Sequence, residues 1–206
     1  MSLVKVMRSD SDIQNVFSTL AGFVKQFQAN PYVFLYESDL QGILFSKLLE
    51  GDSALLDLQT SDAFRRQFNN DRTKITTSVW KTEYPSGIRY DIAAIDRERC
   101  GSDRYPWNQP VSIAMEIKYW WDGNVATPNS VLESDIQKLE RGFRENVISR
   151  AGIAVLFLQI EADHEAFSDG CTSWNDLKQV SGVTEVVVSP SRVAWRSRVI
   201  AEHSTA

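Results

Sequence analysis

Cysteine and histidine are scarce in this chain, with two of each in 206 residues. Cys100 and Cys171 form no CxxC pair, and His164 and His203 share no ligand spacing, so neither a disulfide scaffold nor a zinc site finds support. No apolar run approaches the roughly 18 residues that cross a bilayer. The opening Met1-Ser2-Leu3-Val4-Lys5 has no signal-peptide pattern, and a reducing cytoplasm is the expected compartment. Repeats, low-complexity tracts and convincing linkers are also missing, and the length fits one domain over 1–206. Positive charge is in deficit: 22 Lys and Arg stand against 27 Asp and Glu, a net −5 that argues against broad, nonspecific nucleic-acid binding. A local basic surface is still compatible with that balance. Residues 64–82 hold Arg65, Arg66, Arg72, Lys74 and Lys81 against the single acid Asp71, and Arg192, Arg196 and Arg198 form a second group. Such runs are most often solvated faces, though they suit phosphate binding.

Hydrophobic residues at 43% and charged residues at 24% are ordinary for a globular domain. Residues 10–28 predict a helix, with Ser9, Asp10 and Ser11 as capping oxygens and Ile13, Val16, Phe17, Leu20, Phe23, Val24 and Phe27 at helical spacing. Asn30-Pro31 breaks it. A second helix over 32–50, stopped by Gly51, carries Val33, Leu40, Leu44 and Leu48 on one line, and Glu37 falls on that line. A short helix is expected around 61–68. Residues 75–81 and 88–96 read as strands joined by the turn Tyr84-Pro85-Ser86-Gly87. A loop over 100–110 leads to a strand at 111–119, then a loop over 122–130 and a helix over 131–148 with Val131, Ile136, Leu139, Phe143 and Val147. Residues 151–159 form a nearly continuous apolar strand suited to a central, parallel position. A short helix at 174–180 and strands at 183–188 and 192–199 complete a mixed sheet flanked by helices.

The strand 111–119 holds Glu116 and Lys118 two residues apart in an apolar run. The period of two puts both on one face with Ser112 and Ala114, and Ile113, Met115, Ile117 and Tyr119 on the other. Opposite charges on a buried strand cost desolvation free energy, which a fold rarely bears without a partner or a task. The triplet alone is weak evidence, since roughly one acid-x-Lys occurs by chance in a chain of this size. Asp176-Leu177-Lys178 is such an accident, in a helical pattern where positions two apart share no face. Context separates the two. Asp91 lies amid apolar residues in Arg89-Tyr90-Asp91-Ile92-Ala93, Glu37 lies on a helix stripe, and Gln137-Lys138 open the following helix.

This order of elements and acids resembles the PD-(D/E)XK nuclease superfamily, whose common core of helix, three strands, helix and strand covers about residues 31–160 here. The resemblance implies a restriction-endonuclease-like α/β fold, with Asp91 at the aspartate position and Glu116 and Lys118 as the acid and lysine of the triplet. Glu37 matches a first-helix glutamate found in several branches, and Gln137 or Lys138 a polar position of the second core helix. Tyr90 stands where the motif has proline. The resemblance implies a Mg²⁺-dependent phosphodiesterase, with Mn²⁺ as a substitute cation, acting on nucleic acid, with DNA as the expected substrate. Asp91, Glu116, the Ile117 carbonyl and Glu37 are its candidate metal ligands, and Lys118 assists the attacking water. A homodimer is compatible with the core. The residues also admit plainer readings: Glu116 and Lys118 as a structural ion pair, Asp91 bonded to Arg89 or capping a loop, Trp120-Trp121 as buried or rim residues rather than a base-stacking pair. The alternative function is a nuclease-like binding module that recognises nucleic acid or protein without cutting; a different metal-dependent hydrolase is the third.

Overall fold

The computed structural model describes residues 3–69, 71–121, 131–161, 164–170, 182–198 and 200. Helix α1 spans Leu3–Ala29, earlier in start than its capping residues suggest, and ends where Pro31 can no longer donate a helical hydrogen bond. Pro31–Val33 form a 3₁₀ turn, and α2 runs over Glu37–Gly51. The second helix therefore begins five residues later than position 32. Val33 leaves the apolar line and is exposed, while Leu40, Leu44 and Leu48 are buried at four-residue spacing. The Asp39 carboxylate fixes the helix start by accepting the backbone N–H of Leu35 at 2.9 Å and of Tyr36 at 3.0 Å.

An antiparallel ribbon follows, of β1 (Leu55–Gln59) and β2 (Lys74–Ser78), connected through the short helix α3 (Asp62–Phe68). The expected strand over 75–81 is thus two strands. It breaks at Val79, because residues 74–78 pair with β1 whereas β3 (Trp80–Tyr84) pairs with β4 (Tyr90–Ile95). Strand β5 (Val111–Trp120) precedes α4 (Glu133–Arg144) and β6 (Ile148–Leu158). The helix is shorter than 131–148 because residues 145–147 turn into β6. A single turn, α5 (Ala166–Asp169), precedes β7 (Gly182–Val188) and β8 (Val193–Arg198). The expected loop at 122–130 and helix at 174–180 lie outside the described residues.

The six-stranded sheet has the order β3-β4-β5-β6-β7-β8. Pairing is parallel for β5-β6 and β6-β7 and antiparallel for the other neighbours. The fold class is therefore α/β, with a mixed sheet between helical layers. One face carries α1 and α2: Phe17, Leu20, Phe23 and Phe27 join Leu40 and Leu44 over Ile113, Met115, Ile117, Ile153 and Val155. The other carries α4, with Ile136 and Leu139 over Tyr90, Ala114, Ala154 and Leu156. Each large side chain buried this way contributes about 1.5–3 kcal/mol of transfer free energy. Among the described residues no helix is long and apolar enough to cross a membrane.

Candidate active site

Strand β5 alternates as its sequence predicts. Met115 and Ile117 enter the layer under α1 and α2, so Glu116 and Lys118 project beneath α4. Glu116 is 1% exposed. Its ladder with β4 is recorded as far as Met115 opposite Ile92. Beyond that point Asp91 Oδ2 accepts the Ile117 N–H at 2.7 Å, so a carboxylate takes the bond at the mouth of the strand pair. The N–H and C=O of one strand residue point to the same neighbour, which turns the Ile117 carbonyl toward Asp91 as well. Gln41 of α2 donates to the Asp91 carbonyl at 2.7 Å and fixes the start of β4.

The charges pair across elements and not along β5. Lys118 Nζ lies 3.5 Å from Glu37 Oε1 and 3.6 Å from Asp135 Oδ2, so it joins the start of α2 to α4. Lys138 Nζ lies 2.6 Å from Glu116 Oε1, an ion pair made outside hydrogen-bond geometry, and 5.6 Å from the centre of the Tyr90 ring. The simple Glu116–Lys118 pair is not what forms. Asp91 bonds backbone, not Arg89, among the described residues. Of the Gln137-Lys138 alternatives, Lys138 enters the site; Gln137 is on the outer face of α4, donating to Glu133 Oε1 at 2.9 Å.

Asp135 is a member that sequence reasoning passed over. It is 7% exposed on the buried stripe of α4, three residues after Leu132 and four before Leu139, and an acid in an apolar stripe was its available signal. Four carboxylates, Glu37, Asp91, Glu116 and Asp135, thus share two ammonium groups. Burial raises the Glu116 carboxyl, Lys138 opposes it, the Asp91 and Asp135 charges add to it, and the net effect is a pKa pushed up to about 8. Burial also raises Glu37 and Asp135, against the pull of Lys118. For Lys118, burial lowers the pKa, but Asp135, Glu37, Asp91 and Glu116 together outweigh it and the net shift is upward. The site is short of positive charge.

Comparison with known proteins gives no relative. No family model matches the chain, and searches of curated proteins and of solved structures likewise return no match.

Whether the residues suit a divalent cation therefore rests on their own chemistry. Among the described residues no three Asp, Glu, His or Cys side chains form a ready-made cage. Mg²⁺ does not need one, because it keeps several waters and takes one or two carboxylates. Glu116 Oε1 and Asp135 Oδ2 are buried hard oxygens whose partners are lysine ammonium groups, Lys138 Nζ at 2.6 Å and Lys118 Nζ at 3.6 Å, so a cation would enter by displacing Lys138 from a site where four carboxylates share two lysines. Asp91 and Glu116, with the Ile117 carbonyl, fit such an ion; Glu37 is half-exposed on the far side of Lys118 and fits contact through water.

The remaining candidates lie apart. Trp120 packs against the α4-side core and Trp121 is 68% exposed at the strand end. His164 is buried, its Nδ1 accepting the Ala166 N–H at 3.0 Å, while His203, Cys171 and Asp176-Leu177-Lys178 lie outside the described residues. The C-terminal arginines are engaged by acids: Arg192 by Glu161, Arg196 by Glu165 and Glu185, Arg198 by Glu133 and Glu185. Arg65 pairs with Asp62 and bonds Thr60. A cavity of about 490 Å³ lies at the other end of β4, where Arg97 pairs with Asp52 and Arg150 with Asp12 and Glu98.

Proposed function

We propose that this chain is a Mg²⁺-dependent nuclease with a PD-(D/E)XK-like core, hydrolysing phosphodiester bonds of DNA. The observation that carries the reading is Glu116: a carboxyl 1% exposed and held up to about 8, beside Asp91 at the open end of a strand pair, with Lys118 two residues on. Desolvation by burial joined to specific charged partners is the usual signature of a chemical site. The element order α2, β3, β4, β5, α4, β6 supports the same reading, with the β1-α3-β2 ribbon as an insertion.

In this account Asp91 and Glu116 would hold the cation. When bound, the metal lowers the pKa of water and neutralises phosphate charge. Lys118 keeps its proton, since its carboxylate neighbours favour the ammonium. Its role is to orient the attacking water and to offset charge on the transition state, not to remove a proton. Asp135 and Glu37 hold the Lys118 ammonium between two elements, and so set its position.

A second reading, a binding module without cleavage, is supported by Lys138, whose ammonium already neutralises Glu116. Plasmid and single-stranded circular DNA incubated with Mg²⁺ or Mn²⁺ separate the two. The nuclease account expects cleavage that EDTA abolishes and that Glu116→Ala and Lys118→Ala each reduce at least about 100-fold. Wild-type-level cutting by either variant would sink the site assignment, and salt-sensitive binding with no cleavage in either metal favours the module.

A further inference from the structure

The segment before α2 presents an unusual surface. Tyr32, Val33, Leu35 and Tyr36 are 65%, 60%, 65% and 69% exposed, four large apolar side chains within five positions. The one that turns inward, Phe34, is 1% exposed and packs on Phe23 and Phe27, with ring centroids at 5.8 and 5.6 Å. The backbone around it is fixed. Asp39 accepts the N–H groups of Leu35 and Tyr36, and Tyr119 Oη donates to the Phe34 carbonyl at 2.6 Å. That last bond ties the segment to β5, one residue past Lys118. Glu37 follows Tyr36 directly, and Trp121 stands two residues beyond Tyr119, 68% exposed. Large apolar groups exposed side by side on a hydrogen-bonded segment mark an interaction surface.

We infer that this rim, centred on Tyr36 and Trp121, stacks unpaired nucleobases of a strand whose backbone passes Lys118, making single-stranded or frayed DNA the substrate class. The inference rests on the nuclease reading and deepens it. The chain carries a net −5 and the site sets four carboxylates against two lysines, so the phosphates of either DNA form meet little attraction and discrimination falls to the aromatic rim. Stacking on an aromatic face contributes about 1–3 kcal/mol per base, and bases are available to it only where the strand is unpaired. The rim adjoins the site through the Tyr119–Phe34 bond and through Glu37, which follows Tyr36 and lies 3.5 Å from Lys118 Nζ, so a base on the rim sits beside the Lys118 ammonium.

The test is equilibrium binding of the full chain, in EDTA so that nothing is cut, to labelled oligothymidylate and to a blunt duplex of equal length. The expected result is at least about tenfold tighter binding of the single strand, with quenching of tryptophan fluorescence. Tyr36→Ala and Trp121→Ala should each weaken that binding by roughly 5- to 100-fold, the loss of one stacked base, while Tyr36→Phe keeps most of it. Both positions are exposed, so an unchanged melting temperature in the alanine variants certifies their fold. Equal binding of both DNAs, no binding of either, or alanine variants that bind normally would overturn the inference. So would alanine variants that change only self-association, since the rim would then be a protein interface. Cleavage of duplex that depends on Glu116 would survive any of these results and leave the nuclease reading standing. Strong single-strand binding with no cleavage in any metal would retain the stacking rim and remove the nuclease.

Discussion

At the scale of the residue, Glu116 and Lys138 govern the behaviour of the site. Glu116 is held up to about 8 in the folded chain, whereas an unfolded glutamate titrates near about 4.3. The folded state therefore keeps a proton that the unfolded state releases between these values. The stability linked to that proton is full below about pH 4 and is lost as pH rises through about 8. Without divalent cation, the melting temperature of the wild type should fall between about pH 5 and about pH 9 more steeply than that of Glu116→Gln, which carries no titrating group there. Parallel curves would show that Glu116 is ionised throughout. Lys138 supplies the counter-charge at 2.6 Å. In Lys138→Met, Glu116 is left buried without its ammonium, and urea unfolding in EDTA at about pH 9, where Glu116 is ionised, should register a loss of about 1–3 kcal/mol. That is less than the about 3–5 kcal/mol typical of a fully buried pair, because Lys138 remains 27% exposed. Added Mg²⁺ should restore more stability to this variant than to the wild type, since the competing cation has been removed.

At the scale of the element, the position of α4 over the sheet decides whether Asp135 and Lys138 reach β5. Gly142 permits that approach: a Cβ there would collide with Tyr90 Oη and come within 2.8 Å of Ile148 Cδ1. Gly142→Ala should therefore cost about 1–3 kcal/mol by overpacking, read by urea denaturation, and should weaken cleavage by displacing Lys138 and Asp135 from their partners. A variant as stable and active as wild type would show that α4 has slack at this contact. The elements also show what a sequence can disclose. The alternation of β5 made Glu116 and Lys118 legible, because Ile113, Met115 and Ile117 mark one face over three consecutive repeats. The line Leu40, Leu44, Leu48 disclosed α2 for the same reason, although Val33 on that line is exposed in the turn before it. The break at Val79 was not legible. Both flanking segments favour strand, and only the change of partner from β1 to β4 separates them. The pairing of Lys138 with Glu116 was equally hidden, since it depends on where α4 crosses β5, a distance that local periodicity does not encode.

At the scale of the whole molecule, the deficit of positive charge sets how a polyanion can be held. The arginines near the C-terminus are committed to Glu161, Glu165, Glu185 and Glu133, and the pairs at the far end of β4 bind Arg97 and Arg150 in the same way. At the site itself two ammonium groups, Lys118 and Lys138, stand near enough to meet a phosphate. The affinity for oligonucleotides should accordingly fall only shallowly with salt, with a slope equivalent to about two or three phosphate contacts. A slope several times steeper would mean that a basic surface, such as that around Arg66 and Lys74, carries the binding instead. The sheet itself explains why chemistry is found at one place. Strands β5 and β6 are covered by helices on both faces, and the end of the β4-β5 ladder is where polar groups from β4, β5, α2 and α4 meet. The account stands on a cation joining Asp91 to Glu116 there, so the most direct measurement is anomalous diffraction from crystals soaked in Mn²⁺. It predicts a peak bridging those two carboxylates, with Lys138 Nζ withdrawn from Glu116. A Lys138–Glu116 pair left intact in Mn²⁺, with no peak between Asp91 and Glu116, would contradict it.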